Sequence, residues 1–318
     1  MSESTGTHGG WNKSPHNPLL KWDEHGTCFD PSILVDEPPH PKYRLYFSWR
    51  AQNAIALIES DDAQHWSAPR IVLGSAPRRD HSEFEINRQI VLKHDGLYHM
   101  YYSGQAPDHR SNGHARIFHA VSLDGYEWKR DAHCALTGTA DWEKLGVMCP
   151  HVNWNAERRI FQMWYSGMSD GGSMYEPDAI GYAESPDGTL WQKRPANPIF
   201  KAADIPSGAI MKVTACQVLQ LDGWHMMFYI GFQDHDKATI CLARSKDGIS
   251  NWEQHPQNPI IAPTPAAWDA DSCYKPSACF DGHRWLLWYN GRRGEPEQLG
   301  LATKEGRDLW SSYAPQCQ

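Results

Sequence analysis

The segment IGYAESPDGTLW at residues 180–191 decides the fold, because it holds an alternating strand, an Asp-Gly turn and a closing tryptophan. Asp-Gly between alternating apolar runs is the strongest short hairpin signal, since glycine takes a positive φ without steric cost. The same unit recurs as IALIESDDAQHW (55–66), IFHAVSLDGYEW (117–128), ICLARSKDGISNW (240–252) and LGLATKEGRDLW (299–310). The closing residues Trp66, Trp128, Trp191, Trp252 and Trp310 stand 62, 63, 61 and 58 residues apart. Ahead of each unit runs an aromatic strand: YRLYFSW, YHMYYSG, FQMWYSG, WHMMFYIG and WLLWYNG. Ahead of that lies a first strand, as in DPSILVD (30–36) and KPSACFDG (275–282), and a fourth strand follows the tryptophan.

Four strands repeated five times predict an all-β fold, a five-bladed β-propeller with four-stranded antiparallel blades. A lone blade leaves both sheet faces uncovered, so neighbours must stack and the ring must close. Residues 1–318 are expected to form a single propeller domain, with 1–10 as a flexible N-terminus. Closure is written in WNKSPHNPLL (11–20), which repeats the pattern of WQKRPANPIF (191–200) and WEQHPQNPII (252–261). Trp11 therefore starts an outer strand with no blade of its own, and it is expected to join the last blade beside or instead of the segment after Trp310.

The net charge of −8, with acids and bases mixed along the chain, offers no basic stripe for nucleic acid. Neither an apolar stretch of membrane-spanning length nor a charged-then-apolar leader follows Met1, so a cytoplasmic protein with no membrane partner is expected. Eight cysteines lack CxxC spacing and read as buried structural thiols, with no metal site and no cofactor expected. Nothing in the sequence specifies an oligomeric state.

In a propeller the first strands ring a central channel, and residues of one parity face a shared pocket. Aligning these strands on the proline of Asp30-Pro31, Cys149-Pro150 and Lys275-Pro276 puts Arg88 in the equivalent place of the second blade and Thr214 in the fourth. Two residues on come Ser32, Ile90, His151, Cys216 and Ser277. The predicted pocket contains Asp30, Arg88, His151 and Lys275, with Lys212 close by. Each has a plainer reading: Asp before Pro forms turns, Arg88 and Lys275 suit solvated edges, and His151 is as readily structural as functional. The connections between second and third strands are Gly-, Pro- and Asp-rich and differ between units, which marks them as specificity loops. They contribute Asp178 and Arg292 as candidate ligands, while Asp108, Asp170, Glu176, Asp234, Asp236 and Glu295 read mostly as solvated turn residues. Trp49 and Arg50 at the end of an aromatic strand, with Trp22 and Trp268, form a candidate rim for sugar faces.

With these residues laid out, the chain resembles the five-bladed propeller glycosidases and phosphorylases, among them glycoside hydrolase families 43, 32, 68 and 130. The residues that carry the resemblance are the Asn-Pro-apolar strands, Trp22 to Ser32, MWYSG at 163–167 and GYAESPDG at 181–188. The resemblance implies that Asp30 is the nucleophile or general base. The family's fructan-cleaving members carry a general-acid Glu in an ECP triplet, but here the triplet is MCP with Met148, and WMNDPNG is absent. Substitutes for the acid are Glu85, then Asp271, then Glu143. Breaking a glycosidic bond needs one protonated and one ionised carboxyl group. Arg88, Lys212 and Lys275 would favour an ionised Asp and would also welcome an anionic substrate or phosphate. The expectation is a glycoside hydrolase or transglycosidase whose partner is a carbohydrate or sugar conjugate. A non-catalytic carbohydrate-binding propeller and a phosphorylase are the alternatives.

Overall fold

The computed structural model describes residues 6–76, 82–107, 115–169, 176–206, 208–234 and 237–311. Within them five antiparallel sheets form the blades of a propeller, and the only α-helix among the described residues is the four-residue Trp22–His25. Blade one pairs Cys28–Val35, Tyr43–Trp49, Ala54–Ser60 and Arg70–Gly74 in order. The first strands of the next blades are Glu85–His94, Gly146–Asn155, Lys212–Leu221 and Ser272–Phe280. Blade three also carries Phe200–Lys201 on its third strand.

In blade five the outer strand is Trp11–Lys13, paired antiparallel with Glu297–Glu305. It holds the place that Lys129–Arg130, Gln192–Lys193 and Glu253–Gln254 hold in blades two to four. The asparagines of the Asn-Pro pattern explain why the three segments look alike. Asn17, Asn197 and Asn258 each accept an amide proton at Oδ1 and donate from Nδ2 to a carbonyl of the third strand, on Leu301, Tyr182 and Leu242. That covers backbone groups which a short fourth strand would leave open.

At the rim, the Ser-x-Asp turns fold the same way in blades one to four. Ser60, Ser122, Ser185 and Ser245 accept the N–H of Ala63, Gly125, Gly188 and Gly248. Each serine donates to the aspartate two residues on, whose Oδ1 takes two further turn amides, as Asp187 does from Thr189 and Leu190. These turns also join blades. Tyr46, Tyr101 and Trp164, at one shared position of the second strand, donate to the carbonyls of Gly125, Gly188 and Gly248 in the following blade. The closing tryptophans return the contact: Trp128 meets Tyr46, Trp191 meets Tyr101 and Trp66 meets Trp288, all edge-on. Burying such rings is worth about 1.5–3 kcal/mol each. The seven described cysteines are free, Cys317 lying outside the described residues, and burial pushes Cys28 and Cys216 up to about 12.

Candidate active site

Each inner strand is interrupted by a bulge at the same place, between Phe29 and Ser32, Asn87 and Ile90, Met148 and His151, Thr214 and Gln217, and Tyr274 and Ser277. The bulged residue is left-handed in all five: Asp30 (φ 56), Arg88 (φ 55), Cys149 (φ 53), Ala215 (φ 40) and Lys275 (φ 55). A Cβ in this region costs about 1–2 kcal/mol. Five such residues ring the floor of a cavity of about 550 Å³. Bulges re-aim side chains, and here they turn one residue per blade toward the axis.

What offsets the strain is a second recurring residue. The Ser or Asn of the aromatic strands caps the bulge amide of the next blade: Ser103 accepts from Cys149, Ser166 from Ala215 and Asn290 from Asp30, at 2.9–3.0 Å. At Arg88 the amide is shared between Ser48 and Asp30 Oδ2. Position 230 is the exception, where Ile230 lines the cavity instead.

The alignment of inner strands therefore slips by one residue in blade four. Ala215, not Thr214, is the bulge residue, and Gln217, not Cys216, is the one two places on. Those second-place residues form a ring that ties blades together rather than a pocket lining. Ser32 accepts the Val91 amide, Ser277 the Ile33 amide, and Gln217 both accepts from and donates to Ala278. His151 belongs to this ring: its Nε2–H donates to the Val218 carbonyl at 2.9 Å, and burial holds its pKa down near 4. It does not line the cavity.

Of the residues expected at the site, Asp30, Arg50, Glu85, Arg88, Lys275 and Arg292 line the cavity. Lys212 and Asp178 sit just behind the wall, ion-paired at 2.9 Å, with Lys212 also donating to the Glu176 carbonyl. Asp271 is outside the cavity, where it accepts the Gly294 amide and shapes a loop. Trp49 is packed away with its Nε1–H on the His25 carbonyl, and Trp268 lies on Tyr289 where Gly291 leaves room. Of the four rim candidates, Arg50 and Trp22 line the cavity, Trp22 being 52% exposed.

Glu143 is a structural acid, and the reason is another repeat. It is buried on Tyr165 and Lys193 and caps Thr139. Glu83 meets Tyr102 and Arg130 in blade two, and Asp269 meets Tyr289 and Lys13 in blade five. An acid before the inner strand, a tyrosine on the second and a base on the fourth make one device used three times.

Three carboxylates that the sequence offers as turn chemistry or does not single out line the cavity: Glu176, Glu295 and Glu297. Glu297 accepts from Arg50 at 2.6 Å and from the Tyr274 hydroxyl. Glu176 stands in the wall with Asp30, Arg88 and Glu297 for neighbours. Burial raises its pKa above the ordinary value, Glu297 and Asp30 add to the rise, and Arg88 and Lys212 oppose it. Asp108, Asp170 and Asp236 lie outside the described residues. Met148 is covered by an apolar cluster with Met168 and Phe232, while its counterparts Phe29, Asn87, Thr214 and Tyr274 face the cavity.

Comparison with known proteins agrees with this architecture. The sequence profile described as "Glycosyl hydrolases family 32 N-terminal domain" matches residues 85–257, more than half of the chain. No curated protein matches the chain in sequence. Among solved structures, one titled "Glycoside hydrolase" superposes with a TM-score of 0.71 at 17% identity, over 99% of this chain and 96% of that one. An N-acetylgalactosamine deacetylase from F. plautii, in complex with blood group B trisaccharide, gives 0.71 at 14% identity over 97% and 96%. An exo-1,5-alpha-L-arabinanase from a bovine ruminal metagenomic library gives 0.62 at 16% over 90% and 95%. At such identities the likeness is one of fold, and a deacetylase among the neighbours shows that the fold hosts more than one chemistry.

Proposed function

The chain belongs to the glycosyl hydrolase family 32 N-terminal domain family, and from that membership we propose that its axial cavity cleaves a glycosidic bond, with Asp30 as nucleophile or base and Glu176 as acid. The observation that carries this reading is a pair of carboxyl groups in one cavity, one aimed by hydrogen bonds and the other withdrawn from solvent. Asp30 Oδ2 accepts from the Ser48 hydroxyl and the Arg88 amide, which aim the carboxylate. Glu176 is the carboxyl that burial inclines to keep its proton. In the reaction Glu176 gives that proton to the leaving oxygen. Asp30 either attacks the anomeric carbon or takes a proton from the water that does, according to their separation across the bound sugar. Trp22 offers an exposed ring at the mouth for a sugar face.

The substrate we assign is a carbohydrate or sugar conjugate, held in a single propeller domain spanning the chain. Free thiols, five of the seven described ones buried, suit a reducing compartment such as the cytoplasm. No helix among the described residues is long and apolar enough to cross a membrane.

The deciding experiment compares Glu176→Gln with Glu85→Gln on glycosides having poor and activated leaving groups. Loss on poor leaving groups with rescue by activated ones, in Glu176→Gln alone, supports the assignment. The same pattern in Glu85→Gln alone moves the acid to blade two. Full activity in Asp30→Asn removes the premise.

A further inference from the structure

We infer that the cavity floor at Lys275 is an oxyanion subsite, which takes a carboxylate, sulfate or phosphate carried by the sugar or arriving with it. It rests on the reading of the cavity as a sugar site only for what carries the anion. Lys275 is 7% exposed and faces the cavity from its left-handed bulge. Among the described residues no carboxylate ion-pairs with it and no acceptor takes its protons.

The other deeply placed cations show what this chain does with a withdrawn charge. Lys13 is held by Asp269, Lys193 by Glu143, Arg130 by Glu83, Arg44 by Asp36 and Glu59, and Lys304 by the Gly9 carbonyl. A buried ammonium without partners is costly, and the cost is relieved by pairing. Two of the carboxylates that line the cavity are held by other groups: Asp30 by Ser48 and the Arg88 amide, Glu297 by Arg50 and Tyr274. Its charge is felt by Cys149, His151 and Cys216. Burial raises both thiols, Cys216 to about 12, and holds the imidazole near 4, so all three are neutral at physiological pH. Sugar hydroxyls would solvate Lys275 without neutralising it. An oxyanion does both, and Arg88, which lies beyond Asp30 in the same ring of bulge residues, adds positive charge to the cavity.

The test measures binding by NMR or calorimetric titration, so it does not depend on turnover. Glucuronate and galacturonate are compared with glucose and galactose, and inorganic phosphate is titrated with and without the neutral sugars. Wild type is set beside Lys275→Met and Lys275→Arg, each checked by thermal melting. A preference for uronate of about tenfold or more, lost in Lys275→Met and kept in Lys275→Arg, places the anion on the sugar. Phosphate binding that needs the charge at 275 and tightens the neutral sugars identifies a free oxyanion instead. Equal affinity for uronate and neutral sugar with no phosphate binding overturns the subsite, as does a preference that survives Lys275→Met. Either result leaves the glycosidase reading standing with a neutral substrate.

Discussion

The rim and the axis of this propeller are built from the same five-fold repeat and treat it in opposite ways. At the rim, Ser60, Ser122, Ser185 and Ser245 make the same bonds to the same backbone groups. At the axis the backbone repeats just as faithfully, with five left-handed bulges, yet the side chains are Asp, Arg, Cys, Ala and Lys. The rim spends its polar groups on its own amides, so their identity is dictated by the turn. The axis satisfies its bulge amides with Ser103, Ser166 and Asn290 from neighbouring strands, which frees the bulge side chains for other uses. A repeat that fixes backbone and side chain reads as scaffold. One that fixes only the backbone reads as a site.

The sharpest break between the two regions is expected at Asp30. Asp30→Asn keeps an acceptor for Ser48 and the Arg88 amide, so melting should hardly change while turnover falls by about 10²–10⁴-fold or more. Steady-state kinetics beside thermal melts would show it, and a large loss of stability would mean that Asp30 is scaffold after all. Glu176→Gln comes next, with a loss of about 10²-fold on poor leaving groups. Its pH profile is more telling than its rate. A general acid works while protonated, so the raised pKa of Glu176 extends activity toward neutral pH and sets the alkaline limb. That limb should disappear in the Gln variant.

Rim substitutions should do the reverse. Ser185→Ala leaves the Gly188 amide without its acceptor and should cost about 1–2 kcal/mol of stability with kcat unchanged. The partner Asp187 has its pKa lowered to about 2, chiefly by the Leu190 amide. Its contribution is therefore present above the unfolded value near 4 and lost as pH falls toward 2, which acid melts of wild type and Asp187→Asn would compare.

The smallest effect vanishes at neutral pH. His99 is buried beside His119, itself bonded to Asp131, and burial lowers His99 to about 4. The unfolded chain binds that proton near 6.5, so stability should decline as pH drops from 6.5 to 4 and be flat above. Replacing His99 with Gln should flatten that decline.

The same contrast explains what could be read from the sequence. Rim turns are local, so Ser-x-Asp-Gly and the closing tryptophan announce them, and three copies of Trp-x-x-x-x-x-Asn-Pro announce how the ring closes. The axis was legible where proline marks the bulge, at Asp30, Cys149 and Lys275, and slipped at Ala215, where neither proline nor charge marks it. Strand parity alone points His151 at the pocket, but the bulge sets the residue two places on into the blade junction. The structural role of Glu143 has a signal of its own in the sequence: Glu83, Glu143 and Asp269 all stand five or six residues before a bulge, ahead of a tyrosine strand. Glu176 and Glu297 come from connections that occur once each, so no repeat could single them out.

The N-terminal strand carries a consequence for how the protein is made. Trp11–Lys13 is synthesised before any blade, yet its hydrogen-bond partners, Ala302 to Lys304, are among the last described residues to leave the ribosome. Blades one to four can pair their strands as they emerge, each from contiguous chain. The fifth waits for Trp11–Lys13 to meet Ala302–Lys304, a loop closure spanning all five blades and the slowest kind of contact to form. Until then Glu297–Glu305 presents a bare β-edge and Lys13 is separated from Asp269. Nascent chains are therefore most exposed to aggregation, and most in need of a chaperone, in the interval after the last blade is translated and before the first strand is captured.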